Sequence, residues 1–325
     1  MNQIKMGKFI SELRKEKELT QKDIGDKLGI TDNSISKWER GINAPDIYYL
    51  GPLSEILGVT IKELLNGERK KKKKVKKENQ KPVLEIQNVS KKFGSKEIIH
   101  NLSLTIYKGE IVGLIGPNGA GKTTLIKTIL GLYKASNGTI SICNLDIKKE
   151  FEKAMEKVAS VVESPDLYEY LTAYQNVRIT CLLNGITDMK YAKNILKMVK
   201  LNNRLQDKVK HYSLGMKQRL ALALALIKKP ELLILDEPTN GLDPLGMKEL
   251  REVILKTCEA MGVSVLISSH ILSEIEMVCN KIMILDNGYL IDTFELDEIE
   301  SREHSLEEEF LKIMSETKNQ IGGDL

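Results

Sequence analysis

The stretch Gly116-Pro-Asn-Gly-Ala-Gly-Lys-Thr-Thr124 is the most informative part of this 325-residue chain. It fits the pattern Gly-x-x-x-x-Gly-Lys-[Ser/Thr], follows the apolar run IVGLI and opens a helical pattern at Lys122. Glycines let the backbone fold around an anion, so that consecutive N–H groups and a helix N-terminus face it. A glycine-rich turn with a chance lysine is the structural alternative, but both flanks favour a phosphate-binding loop.

This loop is expected to hold a nucleoside triphosphate and its metal ion. Lys122 is placed to reach the β- and γ-phosphates of ATP, and the Thr123 hydroxyl to ligate Mg²⁺. The sequence therefore predicts ATP and Mg²⁺ as cofactors. The nucleotide contacts that we expect from the loop are Gly116, Asn118, Gly119, Ala120, Gly121, Lys122, Thr123 and Thr124.

Two acids follow a second apolar run, LLIL at residues 232–235. An apolar run that ends in two acids could be any strand end, but the phosphate loop gives these acids a specific meaning. We expect Asp236 to hold Mg²⁺ through water, and Glu237 to orient and deprotonate the attacking water. Glu237 and Lys122 are thus predicted catalytic residues.

Beyond residue 82, short β-branched or Leu-rich runs alternate with helical patterns, which is typical of an α/β domain with a largely parallel sheet. We predict an α/β P-loop NTPase domain over residues 82–314, with a helical subdomain near residues 166–228. The predicted strands are 83–89, 111–115, 158–162, 232–235, 263–268 and 281–285, and the clearest predicted helices are 122–132, 217–228 and 246–261.

Composition fits a globular protein, with 29% charged and 42% apolar residues. The longest uninterrupted apolar stretch, residues 220–227, has eight residues, whereas a membrane-spanning helix needs about 20. We therefore expect no membrane span and a cytoplasmic location. Residues 68–81 carry nine basic and two acidic side chains, which favours a solvated linker over contact with DNA phosphates or anionic lipid. Residues 315–325 are predicted to be a disordered tail.

With these motifs in family order, residues 83–286 resemble the ATPase subunit of ABC transporters. Tyr212-Ser-Leu-Gly-Met-Lys-Gln-Arg219 looks like the signature sequence, which implies that Ser213 and Gly215 contact the γ-phosphate of nucleotide bound to the opposite subunit. Asn240-Gly-Leu-Asp243 resembles the D-loop. The resemblance also implies that His270 is a third catalytic residue, which senses the γ-phosphate, and that Phe93 stacks on adenine. A lone strand-end histidine or a lone phenylalanine would otherwise be a structural residue.

Two departures from the family pattern bear on the substrate. Leu214 and Met216 stand where the family more often has Gly and Gln. Glu163 stands where most members have a Gln that ligates Mg²⁺ and faces the membrane subunit, and a carboxylate can also ligate Mg²⁺. Glu163 and the signature variant resemble the branch of bacitracin-type and lantibiotic-immunity exporters. This implies export of peptide antibiotics or other drugs.

The resemblance also implies partners. A site that is split between two subunits closes as a dimer on binding ATP and reopens after hydrolysis. A second ATPase subunit, in a homodimer, and a separate membrane-spanning permease are therefore expected. The chain would lie peripherally at the inner face of the cell membrane and pass its motion on through Glu163 and residues 168–174.

Residues 1–67 are predicted to form a small all-α helix-turn-helix domain. Thr20 and Thr31 are placed to cap two short helices around a turn at Gly29, and the buried side is predicted to hold Ile24, Leu28, Ile30, Ile35 and Trp38. The domain resembles the Cro/repressor-like (XRE-type) fold, whose second helix enters the DNA major groove. The DNA contacts that this implies are Gln21, Asp32, Asn33, Ser34 and Lys37. The net charge of this region is zero, and docking of a protein is the alternative use of the fold.

The leading interpretation is thus an exporter ATPase with a fused DNA-binding-like regulatory domain. An ATP-responsive DNA-binding transcription regulator is the alternative, although a pure switch need not keep Glu237 and His270. A soluble ABC ATPase acting on ribosomes usually carries two nucleotide-binding domains, and this chain carries one copy of the motifs.

Overall fold

A computed structural model describes residues 3–17, 19–59, 61–67, 81–162 and 166–296, together with Glu307, Glu308, Phe310 and Ile313. The chain divides into two compact units, Met1–Lys77 and Glu78–Leu325. The predictions for residues 68–80, Glu163 and the tail 315–325 lie outside the described residues. The domain boundaries at 67, 81 and 314 therefore stay predictions.

Short helices around a single apolar core build the first unit. They are α1 (Gln3–Glu16), α2 (Gln21–Leu28), α3 (Asp32–Glu39), α4 (Ile47–Leu57) and α5 (Ile61–Asn66). All five residues predicted for the buried side belong to the core, with Ile24, Ile35 and Trp38 buried and Leu28 and Ile30 partly buried.

The turn between α2 and α3 has the predicted glycine and one of the two predicted caps. Thr20 and Asp23 form a capping box at the start of α2, and Gly29 ends that helix in the left-handed region with φ 68°. Thr31 occupies the N-cap position of α3, but its hydroxyl lies 3.0 Å from the Ser34 hydroxyl and makes no hydrogen bond to the helix backbone. The predicted side-chain cap at Thr31 was therefore wrong.

Two sheets form the framework of the second unit. One is antiparallel, in the order β2-β1-β4-β5, and the other has the order β10-β9-β3-β8-β7-β6 and is parallel except for β10. The strands are β1 (Pro82–Phe93), β2 (Lys96–Tyr107), β3 (Ile111–Ile115), β4 (Asn137–Ile142), β5 (Leu145–Asp146), β6 (Val158–Val161), β7 (Leu232–Asp236), β8 (Ser264–Ser269), β9 (Lys281–Asp286) and β10 (Tyr289–Glu295).

The parallel strands lie side by side in the middle of the unit. Every residue of β3, β7, β8 and β9 is buried, as expected for strands that are covered on both faces. In register, Ile115 pairs with Ser269 and Asp236 pairs with Ser268. The phosphate loop, the two acids and His270 therefore leave the sheet at one carboxyl edge, where open α/β sheets bind their ligands.

Helices flank the parallel sheet, and three of them form the predicted helical subdomain. The helices of this unit are α6 (Lys122–Ile129), α7 (Phe151–Glu156), α8 (Ala173–Leu183), α9 (Met189–Met198), α10 (Leu214–Leu226), α11 (Pro244–Met261) and α12 (Leu272–Glu276). The subdomain is α8, α9 and α10, which contact one another through buried residues such as Val177, Ile195 and Leu222. Within the part of the chain that the structure describes, no helix has both the length and the apolar character that crossing a membrane requires.

Candidate active site

The phosphate loop connects β3 to α6 as the sequence predicts. Gly119 and Gly121 have φ values of 85° and 105°, in the left-handed region that favours glycine. The Lys122 side chain is only 5% exposed, and its Nζ donates to the carbonyl oxygens of Gly116 at 2.7 Å and Pro117 at 3.1 Å. The buried Lys122 ammonium group is therefore held by the backbone of the phosphate loop.

Asp236 is held by two hydroxyl groups at the end of β7. The Thr123 Oγ1 donates to Asp236 Oδ2 at 2.9 Å, which joins the first turn of α6 to the strand-end acid. The Ser268 Oγ donates to Asp236 Oδ1 at 2.5 Å from the neighbouring strand. Asp236 is only 4% exposed, so these bonds fix the direction of its carboxylate.

Glu237 projects from a strained backbone position beside three functional groups. Its φ is 46°, a region that non-glycine residues seldom adopt and that is frequent at active sites. The Glu237 N–H donates to the Ser268 Oγ at 2.9 Å and to the Ser268 carbonyl at 3.2 Å. The carboxylate lies 3.6 Å from Lys122 Nζ and 3.3 Å from His270 Nδ1. One acid is thus aimed at the loop lysine and at the strand-end histidine together.

These residues fit ATP and Mg²⁺. The nearly buried Lys122 ammonium and the N-terminus of α6 present positive charge where phosphates would lie. Thr123 and Asp236 bring a hydroxyl and a carboxylate oxygen together. Mg²⁺ takes one or two such protein oxygens and completes its octahedron with waters and substrate phosphates.

The residues of the signature sequence and the D-loop lie next to one another. Ser213 is the N-cap of α10, where its exposed side chain accepts from the Met216 N–H, and Gly215 lies in the first turn of that helix. A Cβ built on Gly241 of the D-loop would lie 3.2 Å from the Leu214 side chain. The two loops therefore form one surface at the N-terminus of α10.

Phe93 ends β1 with 44% of its surface exposed. The Tyr133 ring meets it edge-on with centroids 5.1 Å apart, and Lys91 Nζ lies 4.5 Å from the Phe93 centroid. An exposed ring that is held by neighbours can act as a stacking platform. Glu163, the remaining predicted metal ligand, lies outside the described residues.

In the first unit, the candidate DNA contacts fall into two groups. Asp32, Asn33 and Lys37 are exposed on α3. The other two are only partly exposed and bond to neighbouring side chains, since the Gln21 amide donates to Glu39 at 2.7 Å and the Ser34 hydroxyl lies 3.0 Å from the Thr31 hydroxyl. The arrangement leaves three side chains of α3 facing solvent.

Ser268 touches both strand-end acids but is not among the site residues predicted from the sequence. A signal was present in the sequence, since the run VSVLI ends in two serines before His270. Polar residues at the end of a fully buried strand need hydrogen-bond partners. The register that brings Ser268 opposite Asp236 was not visible in the sequence.

The fold and the site define a P-loop ATPase of the α/β class. A family model described as "ABC transporter" matches residues 99–240, and one described as "Helix-turn-helix" matches residues 10–64. The chain is 47% identical over 213 residues to the ABC transporter ATP-binding protein YhcH of Bacillus subtilis. The matched residues make up 65% of this chain and 70% of YhcH. This chain belongs to the family of ABC transporter ATP-binding proteins.

Similarity to relatives with more specific names supports the predicted branch. The bacitracin transport ATP-binding protein BcrA of Enterococcus faecalis is 39% identical, over 68% of this chain and 71% of BcrA. The lantibiotic transport ATP-binding protein SrtF of Streptococcus pyogenes is 40% identical, over 70% of this chain and 98% of SrtF. A solved structure of an ATP-binding subunit of an ABC transporter matches with a TM-score of 0.64 and 33% identity, and the match covers 71% of this chain and 99% of that one.

The predicted resemblance, the fold class and the ATPase activity are therefore confirmed. The chain is an ATP-binding subunit of the ABC type, with a helix-turn-helix domain ahead of it.

Proposed function

We propose that this chain powers an exporter of peptide antibiotics or other drugs. It would act as a pair of ATPase subunits that is bound to a separate membrane permease at the inner face of the cell membrane. The position of Glu237 between Lys122 and His270, beside the Thr123–Asp236 pair, carries the hydrolytic part of this proposal. The names of the bacitracin and lantibiotic relatives support the substrate class.

In this proposal each side chain of the site has one task. Lys122 holds the β- and γ-phosphates, while Thr123 and Asp236 hold Mg²⁺, with Glu163 as a further ligand. Mg²⁺, when bound there with ATP, would neutralise negative charge of the phosphates.

Glu237 accepts a proton from the attacking water as general base. His270, at 3.3 Å from Glu237, keeps that carboxylate directed at the γ-phosphate side. Phe93 stacks on the adenine ring.

Ser213 and Gly215 act on the nucleotide of the partner subunit. Both lie at the N-terminus of α10, a 13-residue helix, whose dipole and free N–H groups favour an anion. Each of the two sites is then complete only when the subunits are paired. Binding of ATP closes the pair and hydrolysis releases it.

The loop before α8 is the proposed docking surface for the permease. Tyr168 and Tyr170 are 58% and 80% exposed. The loop is nevertheless fixed, because the buried Asn176 amide donates to the carbonyls of Tyr168 and Thr172 and accepts from the Tyr168 N–H. Exposed aromatic side chains on a rigid loop are suited to contact another protein.

Co-purification tests the permease surface. Tagged chain is isolated from the membranes of its host, and the membrane protein that accompanies it is quantified for wild type, Tyr170→Asp and the control Tyr48→Asp. Tyr48 is similarly exposed, at 77%, but lies in the first unit. The proposal expects loss with Tyr170→Asp alone, and equal recovery from all three would refute it.

The ATPase activity of the reconstituted complex tests the substrate class. Bacitracin and a lantibiotic are added to proteoliposomes, and hydrolysis is compared with that in liposomes without peptide. Stimulation by either peptide supports export of peptide antibiotics. A rate that neither peptide changes would contradict the proposed substrate class and leave the ATPase assignment intact.

DNA binding by the first unit is a second proposed function. The observation that favours it is α3, which follows a glycine turn and exposes Asp32, Asn33 and Lys37. A gel shift with the promoter of its own operon, with and without ATP, tests it. Lys37→Ala should reduce the slope of log K against log salt concentration by about one, as expected when one phosphate contact is lost. Lys190→Ala, at an exposed lysine of the second unit, should leave that slope unchanged. The absence of a shift at low salt would overturn DNA binding.

A further inference from the structure

The turn between β9 and β10 holds the outer side of the phosphate loop. The Gly288 N–H donates to the Ala120 carbonyl at 2.9 Å, and the Gly288 carbonyl accepts from the His100 N–H at 3.0 Å. Both backbone polar groups of Gly288 are therefore used between two elements. One is the loop that faces phosphate, and the other is β2 of the antiparallel sheet.

The first of these bonds fixes the direction of a backbone N–H group in the phosphate loop. The Ala120 carbonyl and the Gly121 N–H belong to one planar trans peptide unit, in which they point in opposite directions. Because the carbonyl is held by Gly288, the Gly121 N–H points away from the turn, toward the other side of the loop. Backbone N–H groups on that side of a phosphate loop contact the nucleotide.

Sterics allow only glycine at this position. Gly288 has a φ of 81°, and a Cβ built on it would overlap the Ile98 carbonyl oxygen and lie 2.9 Å from the His100 ring. The neighbouring residue fixes the turn further, since the Tyr289 and His100 rings stack with centroids 4.2 Å apart and planes 5° from parallel. The turn is thus pressed against β2 and cannot withdraw from the loop without breaking this packing.

We propose that Gly288 is a positioning residue for phosphate binding, which acts by orienting the Ala120–Gly121 peptide unit. Tyr289 and His100 keep the turn in place for this task. The inference rests on the proposed role of the loop in binding the phosphates of the nucleotide. It adds a backbone contact from a turn that the sequence motifs do not include.

Binding of two probes to the full-length chain tests this. Dissociation constants for ADP and for inorganic pyrophosphate, each with Mg²⁺, are measured for wild type, Gly288→Ala and Gly185→Ala. Gly185 is the matched control, because its φ is 66° but a Cβ there would meet nothing within 4 Å. It therefore receives the same backbone strain without the clash. Thermal unfolding of each variant reports its stability.

We expect Gly288→Ala to weaken both probes by the same factor, about tenfold or more, since one N–H bond to a charged group is misdirected. Phe93→Ala should weaken ADP but not pyrophosphate, because its ring meets the base alone. Gly185→Ala should change neither. A structural role without positioning would lower the unfolding temperature and leave the pyrophosphate affinity of the folded protein unchanged.

Tyr289→Ala keeps the proposal testable if Gly288→Ala does not fold. It removes the stacked ring without adding a clash, and we expect it to weaken both probes by a common factor of about two to five. Wild-type affinity for pyrophosphate in folded Gly288→Ala, or in Tyr289→Ala, would overturn the inference and leave the function of the loop standing. Failure of wild type to bind either probe would instead remove the proposed function itself.

Discussion

Replacement of Ser268 by alanine is a strong test of how the two acids are held. Ser268 is fully buried, donates to Asp236 and accepts from the Glu237 N–H. Ser268→Ala removes one hydroxyl and with it both bonds, while it leaves the Ser268 carbonyl bonded to the Glu237 N–H at 3.2 Å. The strand remains paired, but the Asp236 carboxylate is held from one side only, by Thr123.

The size of the effect follows from the charge on Asp236. A hydrogen bond to a charged group contributes about 1.5–3 kcal/mol net. If this whole free energy serves to position the metal and the attacking water, its loss lowers kcat/KM for Mg-ATP by about ten- to a hundredfold. The conversion is that 1.36 kcal/mol corresponds to a factor of about ten. If part of this free energy instead stabilises the folded protein, the loss of activity is smaller and the variant is less stable.

Ser264→Ala is the matched control in a steady-state ATPase assay. Ser264 is on the same strand and equally buried, but it lies at the opposite end, where its Oγ accepts from the Gly109 N–H at 2.9 Å. Both variants remove one buried hydroxyl from β8. We expect both to unfold more easily than wild type, and only Ser268→Ala to lose activity and to need more Mg²⁺.

Equal ATPase activity in the two serine variants, at temperatures where both are folded, would contradict this role of Ser268. It would mean that the hydroxyl of Ser268 supports the strand and does not direct Asp236 or Glu237.

Three further predictions concern the contact with adenine, the helical subdomain and the first unit. Phe93→Ala should raise the KM for ATP several-fold with kcat little changed, because stacking on the base is made equally in the ground state and the transition state. Asn176→Ala should lower the free energy of unfolding by about 1.5–4 kcal/mol, measured by urea titration, since three hydrogen bonds to the loop before α8 are lost. Burial raises the pKa of Glu39, but hydrogen bonds from Arg14 and Gln21 outweigh it and hold that pKa below its usual value of 4.5. The stability gained is therefore complete above about pH 4.5 and lost as the pH falls through the lower folded-state pKa. Urea unfolding followed by the fluorescence of Trp38, the single tryptophan, should show this loss as a lower free energy of unfolding at acidic pH. Glu39→Gln should make that free energy less dependent on pH.

Local motifs made much of the site predictable. The phosphate loop, the strand-end acids and His270 are each short stretches whose chemistry can be recognised in the sequence, and the structure brings Lys122, Glu237 and His270 together. The parallel strands were predictable for a similar reason, since strands buried on both faces are continuous apolar runs.

Contacts between distant parts of the chain could not be predicted in this way. Ser268 meets Asp236 across 32 residues, and the Gln21 amide meets Glu39 across 18. The separate antiparallel sheet built on β1 and β2 was not predicted, because the mixed apolar and polar pattern of β1 predicts a strand but does not specify its partners. Such partners depend on strand register and helix packing, which composition and periodicity do not specify.

Helix ends differed from prediction where capping decided them. The helix predicted over 122–132 ends at Ile129, because Gly131 adopts the left-handed conformation with φ 70°. The helix predicted from residue 217 begins at Leu214, because Ser213 accepts from the Met216 N–H and caps it. The earlier start of this helix matters for function, because it places the signature residues at the N-terminus of α10.

Single-turnover hydrolysis of Mg-ATP by Glu237→Gln measures whether Glu237 is the base of the ATP-hydrolysing site. Glu231→Gln is the control, since Glu231 lies just before the same strand, at its opposite end. General base catalysis contributes about 10²–10⁴-fold. We expect a loss of this size for Glu237→Gln, with ATP still bound and the paired subunits stabilised, and near wild-type turnover for Glu231→Gln. Normal hydrolysis by Glu237→Gln would mean that Glu237 is not the base.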